Sequence, residues 1–127
     1  MVIIDTSIWV TAYKVKTSKE KSEIARLVIA NEAAIVGMVF AEVLRGARSD
    51  QEFEELTEEL LGTEFLETAF EDWERAARIL LDLQRSGEVI PLQDALIAAH
   101  ALNGNHSVYS TDNHFKRVTG LQIHESP

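Results

Sequence analysis

The sequence contains no cysteine. That excludes a disulfide framework, a thiolate zinc site and a cysteine nucleophile, and it suits a reducing compartment. No apolar run approaches the roughly 20 residues needed to span a bilayer, so no membrane partner is expected. The opening residues Met1 to Ser7 lack the basic start and long apolar stretch of a signal peptide, so a cytoplasmic location is expected. No repeat, low-complexity tract or Pro/Gly-rich linker divides the chain. Its 127 residues are therefore read as one domain, 1–127, long enough to bury a core without staples. Lys and Arg are missing from residues 50–74, which hold eleven acids. The remaining residues carry twelve basic side chains and ten acids, although the whole chain has a net charge of −9. The acidity is regional: one surface should repel nucleic acid while another can still accept it.

What is present is an alternation of short apolar runs and longer helical patterns. Val2-Ile3-Ile4 reads as a buried strand, followed by a helix starting at Thr6-Ser7. The spacing predicts a helix over 18–30, with Ile24, Leu27 and Val28 on one face, a strand over 33–36 ended by Gly37, and a helix over 38–47. An amphipathic helix is predicted over 50–61, with Phe53, Leu56, Leu60 and Leu61 in one stripe and the acids opposite, where water solvates them. Phe65-Leu66 forms a short strand. Residues 70–85 read as a helix with Phe70, Trp73, Ala77 and Leu80 on its apolar side and Gly87 beyond its end. A helix over 92–102 follows Pro91 and closes at Asn103-Gly104. Ser107 to Ser110 is a strand, residues 113–117 a helical turn, and Leu121 to Ile123 a last strand. Strands separated by helices imply parallel pairing, hence an α/β fold. In such sheets ligands bind beyond the carboxyl ends of the strands, where Asp5 and Asp112 fall.

Four acids stand apart because apolar residues surround them. Asp5 ends Val2-Ile3-Ile4, Glu42 interrupts Met38 to Leu44, Asp94 opens Ala95 to Ala99, and Asp112 follows Val108-Tyr109. Burying a carboxylate costs several kcal/mol unless it is paired or bound to metal. Four converging carboxylates would repel one another, and a divalent cation with a preference for hard oxygen ligands resolves both problems. Each acid also has a plainer reading. Asp5 can cap the helix at Thr6-Ser7, Glu42 can face solvent, Asp94 can favour a helix dipole, and Asp112 can cap the turn 113–117. The case rests on the set. Thr6, Ser7 and Thr111 stand beside these acids and can orient a ligand or water, a role that capping explains nearly as well. Arg45, one turn after Glu42, is the candidate for a phosphate. His114, two residues past Asp112, can touch substrate, but an ordinary surface histidine is the better reading. Trp9, Phe40 and Trp73 are read as core or partner-interface residues.

The segments Val2 to Trp9, Ala41 to Gly46, Asp94 to Ala99 and Tyr109 to Phe115 together resemble the PIN-domain ribonucleases, and within them the VapC-type toxins of prokaryotic toxin–antitoxin pairs. The likeness covers essentially the whole chain. It implies a mainly parallel central sheet of four to five strands flanked by helices. It also implies Mg²⁺ or Mn²⁺ held by Asp5, Glu42, Asp94 and Asp112, with Thr6 and Thr111 as supporting hydroxyls. The implied partners are an RNA substrate, a cognate antitoxin and a second copy of the chain. Where many relatives carry a further acid two residues past Asp112, this chain has His114. The expected chemistry is hydrolysis of an RNA phosphodiester by a metal-activated water. A phosphatase with Asp5 as nucleophile would want a second acid two residues on, where Ser7 stands. The remaining alternative is a catalytically inactive PIN-like module that binds RNA or protein.

Overall fold

Three consecutive apolar residues with no polar alternation favour a strand covered on both faces, and Val2–Ile4 is such a strand, β1, wholly buried. The computed structural model describes all residues, 1–127. After β1 come α1 (Thr6–Lys14), α2 (Lys19–Ile29), β2 (Ala33–Val36), α3 (Gly37–Leu44), α4 (Asp50–Leu60), β3 (Glu64–Leu66), α5 (Phe70–Arg85), α6 (Leu92–Gly104), β4 (Ser107–Tyr109), a 3-10 turn (Asn113–Arg117) and β5 (Gln122–Ile123). The strands form one five-stranded sheet in the order β3-β2-β1-β4-β5, every pair parallel. Ile3 lies opposite Ala34 on one side and Val108 on the other.

The chain winds outward from β1 through β2 to β3, then returns to the other side of β1 for β4 and β5. The winding therefore reverses between β1 and β4. In open parallel sheets the carboxyl ends of the strands at such a reversal are the usual ligand position. Asp5 follows β1 directly, and its backbone N–H donates to the Tyr109 carbonyl at 2.9 Å, which ties the end of β1 to the end of β4.

α6 is buried without interruption from Asp94 to Ala101. Leu96 and Ile97 are each 2% exposed, and burying such side chains contributes roughly 1.5–3 kcal/mol apiece. That is enough to hold a helix whose first turn carries a costly buried carboxylate. α6 runs on through Asn103 and Gly104, past the expected stop, and ends where Asn105 adopts φ 55°, ψ 46°. Asn is among the few residues that accept this left-handed conformation.

α5 differs from expectation in which side it buries. Its inner face is Asp72, Ala76, Ile79 and Leu83, rotated about 100° from the Phe70, Trp73, Ala77, Leu80 stripe. Phe70 is 72% exposed and Trp73 47%. Both stripes have helical spacing. The choice falls to α6, whose neighbouring side chains leave room for Ala76 and offer Asp72 hydrogen bonds. Asp72 Oδ2 accepts the Ala69 N–H at 2.9 Å and Oδ1 accepts from the Asn103 amide at 2.9 Å. One of the eleven acids of 50–74 is thus buried rather than solvated. Burial pushes the Asp72 carboxyl up, but those two hydrogen bonds and nearby His100 outweigh it, and its pKa is lowered. In α4 the predicted stripe splits: Leu56 and Leu60 are buried, while Phe53 and Leu61 are exposed.

Candidate active site

Asp5 occupies the cap position of α1 but its side chain makes no capping bond. The carboxylate turns instead towards β4. Its Oδ2 accepts from the Ser110 hydroxyl at 2.7 Å and the Ser7 hydroxyl at 3.1 Å. The same serines bind the loop after β4, because Ser110 Oγ accepts the Asp112 N–H at 2.9 Å and Ser7 Oγ accepts the Thr111 N–H at 3.2 Å. Asp5 is 7% exposed. A buried carboxylate with two neutral donors and no cationic partner is incompletely compensated.

Asp94, in the first turn of α6, is also 7% exposed. Its Oδ2 lies 2.7 Å from His114 Nδ1. Burial raises the Asp94 pKa, the His114 hydrogen bond opposes that rise, and the charges of Asp112 and Asp5 add to it. The Ser110 hydroxyl that donates to Asp5 also accepts the Asp112 N–H, which holds these two acids close together. Asp112 Oδ1 accepts the His114 N–H at 2.9 Å, so it does cap the 3-10 turn. The same oxygen lies 2.9 Å from His114 Nδ1. Donor atoms of Asp94, Asp112 and His114 all fall within 4.8 Å of one another. Asp5 stands beside this tight group rather than in it.

Glu42 lies halfway along α3, is half-buried, and its Oε2 accepts the Thr6 hydroxyl at 3.2 Å. Thr6 thus ties α3 to the start of α1. The Thr111 hydroxyl makes no hydrogen bond to these acids; only its backbone N–H joins the network, through Ser7. Arg45 caps the far end of α3, is exposed and forms no ion pair. Ser110 was not distinguishable by sequence from the Ser and Thr around it. Its signal is positional: it is the first residue beyond β4, facing the acid just beyond β1 across the winding reversal.

Each of the four acids keeps one carboxylate oxygen that no protein donor reaches: Oδ1 of Asp5 and Asp94, Oδ2 of Asp112, Oε1 of Glu42. No Lys or Arg pairs with any of them. The donor set is oxygen-rich, negatively charged and partly buried, and it fits a divalent cation.

Comparison with known proteins decides the ancestry of this arrangement. The family model described as PIN domain matches residues 2–121. The chain is a PIN domain of the VapC ribonuclease family. It is 32% identical over 130 residues to VapC ribonuclease Mb1587 of Mycobacterium bovis and to ribonuclease VapC11 of Mycobacterium tuberculosis, covering 96% of this chain and 96% of each relative. Among solved structures, VapBC2 from Rickettsia felis, bound to a promoter DNA fragment, superposes with a TM-score of 0.84 at 24% identity over 98% of both chains. VapBC from Salmonella typhimurium, bound to DNA, gives 0.86 at 19% identity over 99% of this chain and 98% of that one. VapC20 of Mycobacterium tuberculosis, a toxin that cleaves the sarcin-ricin loop, gives 0.72 at 16% identity over the full length of both. These likenesses extend the PIN fold, with its α/β parallel sheet, to this chain.

Proposed function

We propose that this PIN domain, acting as one unit over residues 1–127, is a divalent-metal-dependent endoribonuclease and the toxin of a type II toxin–antitoxin pair. The observation that carries the reading is the meeting of Asp94 and Asp112 within 4.8 Å, with Asp5 tied to the same loop through Ser110, and no Lys or Arg to balance the three acids. Support comes from relatives that are named ribonucleases.

Asp5, Asp94 and Asp112 would hold the cation, Mg²⁺ or Mn²⁺, with Glu42 at its side. Such an ion, when bound, lowers the pKa of a coordinated water and screens charge on the phosphoryl oxygens. Ser7 and Ser110 hold the Asp5 carboxylate in one orientation. Thr6 fixes Glu42, whose free Oε1 can accept a proton from water. Arg45 is a free, exposed guanidinium suited to an RNA phosphate.

The partners are an RNA substrate, a cognate antitoxin and a second copy of the chain, in the cytoplasm. A toxin–antitoxin complex from Klebsiella pneumoniae shares this fold, which supports an antitoxin as partner. On this chain, an apolar groove of about 230 Å³ between α1, α2 and α4 includes Trp9, Ala12, Ile24, Val28, Leu56 and Leu60. Its rim carries Lys16 and Lys21 as well as Glu59, so the charge there is mixed, and it is the apolar lining that suits an amphipathic antitoxin segment. The exposed Phe70 and Trp73 on α5 suit the second copy.

The deciding experiment is an RNase assay with and without EDTA on wild type and Asp5→Asn. The expected result is cleavage by wild type that EDTA abolishes and that the variant lacks. Equal activity in both proteins, or activity indifferent to EDTA, removes the proposal.

A further inference from the structure

Sequence context alone suggests an ordinary surface histidine at position 114, yet His114 is wedged between two of the acids. Its side chain is 33% exposed, and its Nδ1 lies 2.7 Å from Asp94 Oδ2 and 2.9 Å from Asp112 Oδ1. The 3-10 turn sets this position, because Asp112 accepts the His114 backbone N–H and so fixes the ring two residues along. A cation bound at about 2.1 Å from each donor needs neighbouring donors roughly 3 Å apart. The spacings from Nδ1 to both oxygens already approach that edge length. The other free oxygens of Asp94 and Asp112 remain available to the same ion or to water.

We infer that His114 Nδ1 is a further donor to the cation, beside the carboxylates, and that this nitrogen tilts the site from Mg²⁺ towards first-row transition ions such as Mn²⁺. The inference rests on the metal-nuclease reading and sharpens it. Mg²⁺ is hard, demands oxygen ligands and sheds water reluctantly, whereas imidazole is a good ligand for borderline transition ions. With the Nδ1 lone pair on the metal, Nε2 carries the ring proton, so His114 would serve as a neutral ligand. None of the other three histidines approaches the acids: His100 bonds Thr68, His106 lies next to Met1, and His124 faces Glu23.

The test uses the full chain without an affinity tag. Mn²⁺ is bound to wild type, His114→Asn and His114→Asp, and the nitrogen coupling to Mn²⁺ is read by electron spin-echo modulation. Calorimetry gives the Mn²⁺ and Mg²⁺ dissociation constants of the same proteins, and circular dichroism checks their folding. The expected result is a ¹⁴N coupling in wild type that vanishes in both variants. Losing this donor should weaken Mn²⁺ binding in His114→Asn at least as much as losing an outer-shell partner does, about 10- to 100-fold. His114→Asp, which restores an oxygen donor, should regain Mg²⁺ affinity and lower the Mn²⁺-over-Mg²⁺ preference at least about tenfold. Mn²⁺ bound without ¹⁴N coupling, or an unchanged preference in His114→Asp, overturns the inference and leaves His114 as a hydrogen-bond partner of Asp94, with the nuclease reading intact. Failure of wild type to bind either ion overturns both.

Discussion

The Ser110 hydroxyl donates to Asp5 Oδ2 across 2.7 Å, joining residues 105 positions apart in the chain. Ser110 touches no reacting group in this arrangement; it positions one that does. Ser110→Ala should therefore lower metal affinity and RNase activity together, by about 10- to 100-fold, as loss of an outer-shell partner does. The fold should survive, since a net hydrogen bond is worth about 0.5–1.5 kcal/mol. Metal titration and assay of the variant beside wild type check this. Unchanged metal affinity would show that Ser7 alone orients Asp5.

Asp94→Asn should have opposite effects on stability with and without metal. In the metal-free protein the substitution removes a buried charge facing Asp5 and Asp112, so the variant should unfold at higher denaturant than wild type. With ions present the order should reverse or the gap close. At an ion concentration 100 times the dissociation constant, binding stabilises wild type by about 2.7 kcal/mol. Urea unfolding with EDTA and with Mn²⁺ measures both arms. A variant less stable than wild type in EDTA would contradict the account of this site as a strained cluster.

His100 supplies a pH dependence remote from the acids. Its Nε2 lies 2.9 Å from the Thr68 hydroxyl and its Nδ1 3.6 Å from Asp72 Oδ2. Burial lowers its pKa, and Asp72 only partly offsets this. A depressed folded-state pKa means that the unfolded chain takes up the proton first as pH falls. The stability His100 contributes is thus complete above its unfolded value of about 6.5 and is lost below it, by at most about 1.4 kcal/mol per pH unit. His106, also lowered by burial, acts in the same direction. Stability measured between pH 5 and pH 8 should fall on the acid side in wild type and fall less steeply in His100→Gln. Parallel slopes would remove His100 from the account.

Gly104→Ala should destabilise the protein although alanine favours helices. A Cβ at Gly104 would overlap the His106 ring at the end of α6. Overpacking of this kind costs typically about 1–3 kcal/mol, against a helix-propensity gain of about 1 kcal/mol. A thermal melt reads the balance; a rise in melting temperature would show that His106 rotates away freely.

Trp73→Glu on α5 should weaken the proposed self-association. Phe70 and Trp73 lie on the outer face of this helix, with Glu71 and Glu74 early and Arg75 and Arg78 later. Two antiparallel copies would set acids against arginines around an apolar centre. Light scattering should show a dimer for wild type and a monomer for the variant. A wild-type monomer at high concentration, with antitoxin absent, would end this part of the proposal.

The parallel α/β class was legible because Val2 to Ile4 and Ala33 to Val36 are apolar without alternation and too short for a buried helix, which suits a doubly covered strand. Asp94 was legible for the same reason, since every neighbour from Ala95 to Ala99 had to be buried. The orientation of α5 was not legible. Two stripes a single residue apart satisfy the helical period, and only the tertiary partners Asn103 and His100, both on α6, make Asp72 an inward residue. Ser110 and His114 were hidden differently. Serine and histidine near a turn are common, and what distinguishes these two is an approach to Asp5 and Asp94 from distant parts of the chain. The sequence quoted the neighbours of the site but not their distances.

The reversal of winding between β1 and β4 has a consequence for biosynthesis. Asp5 is translated well before the partners that orient it and share its charge, Asp94, Ser110 and Asp112. A nascent polypeptide short of residue 112 carries the early acids without their counterparts. Synthesis itself therefore delays the hazard: the set of acids is complete only once residue 112 has been added.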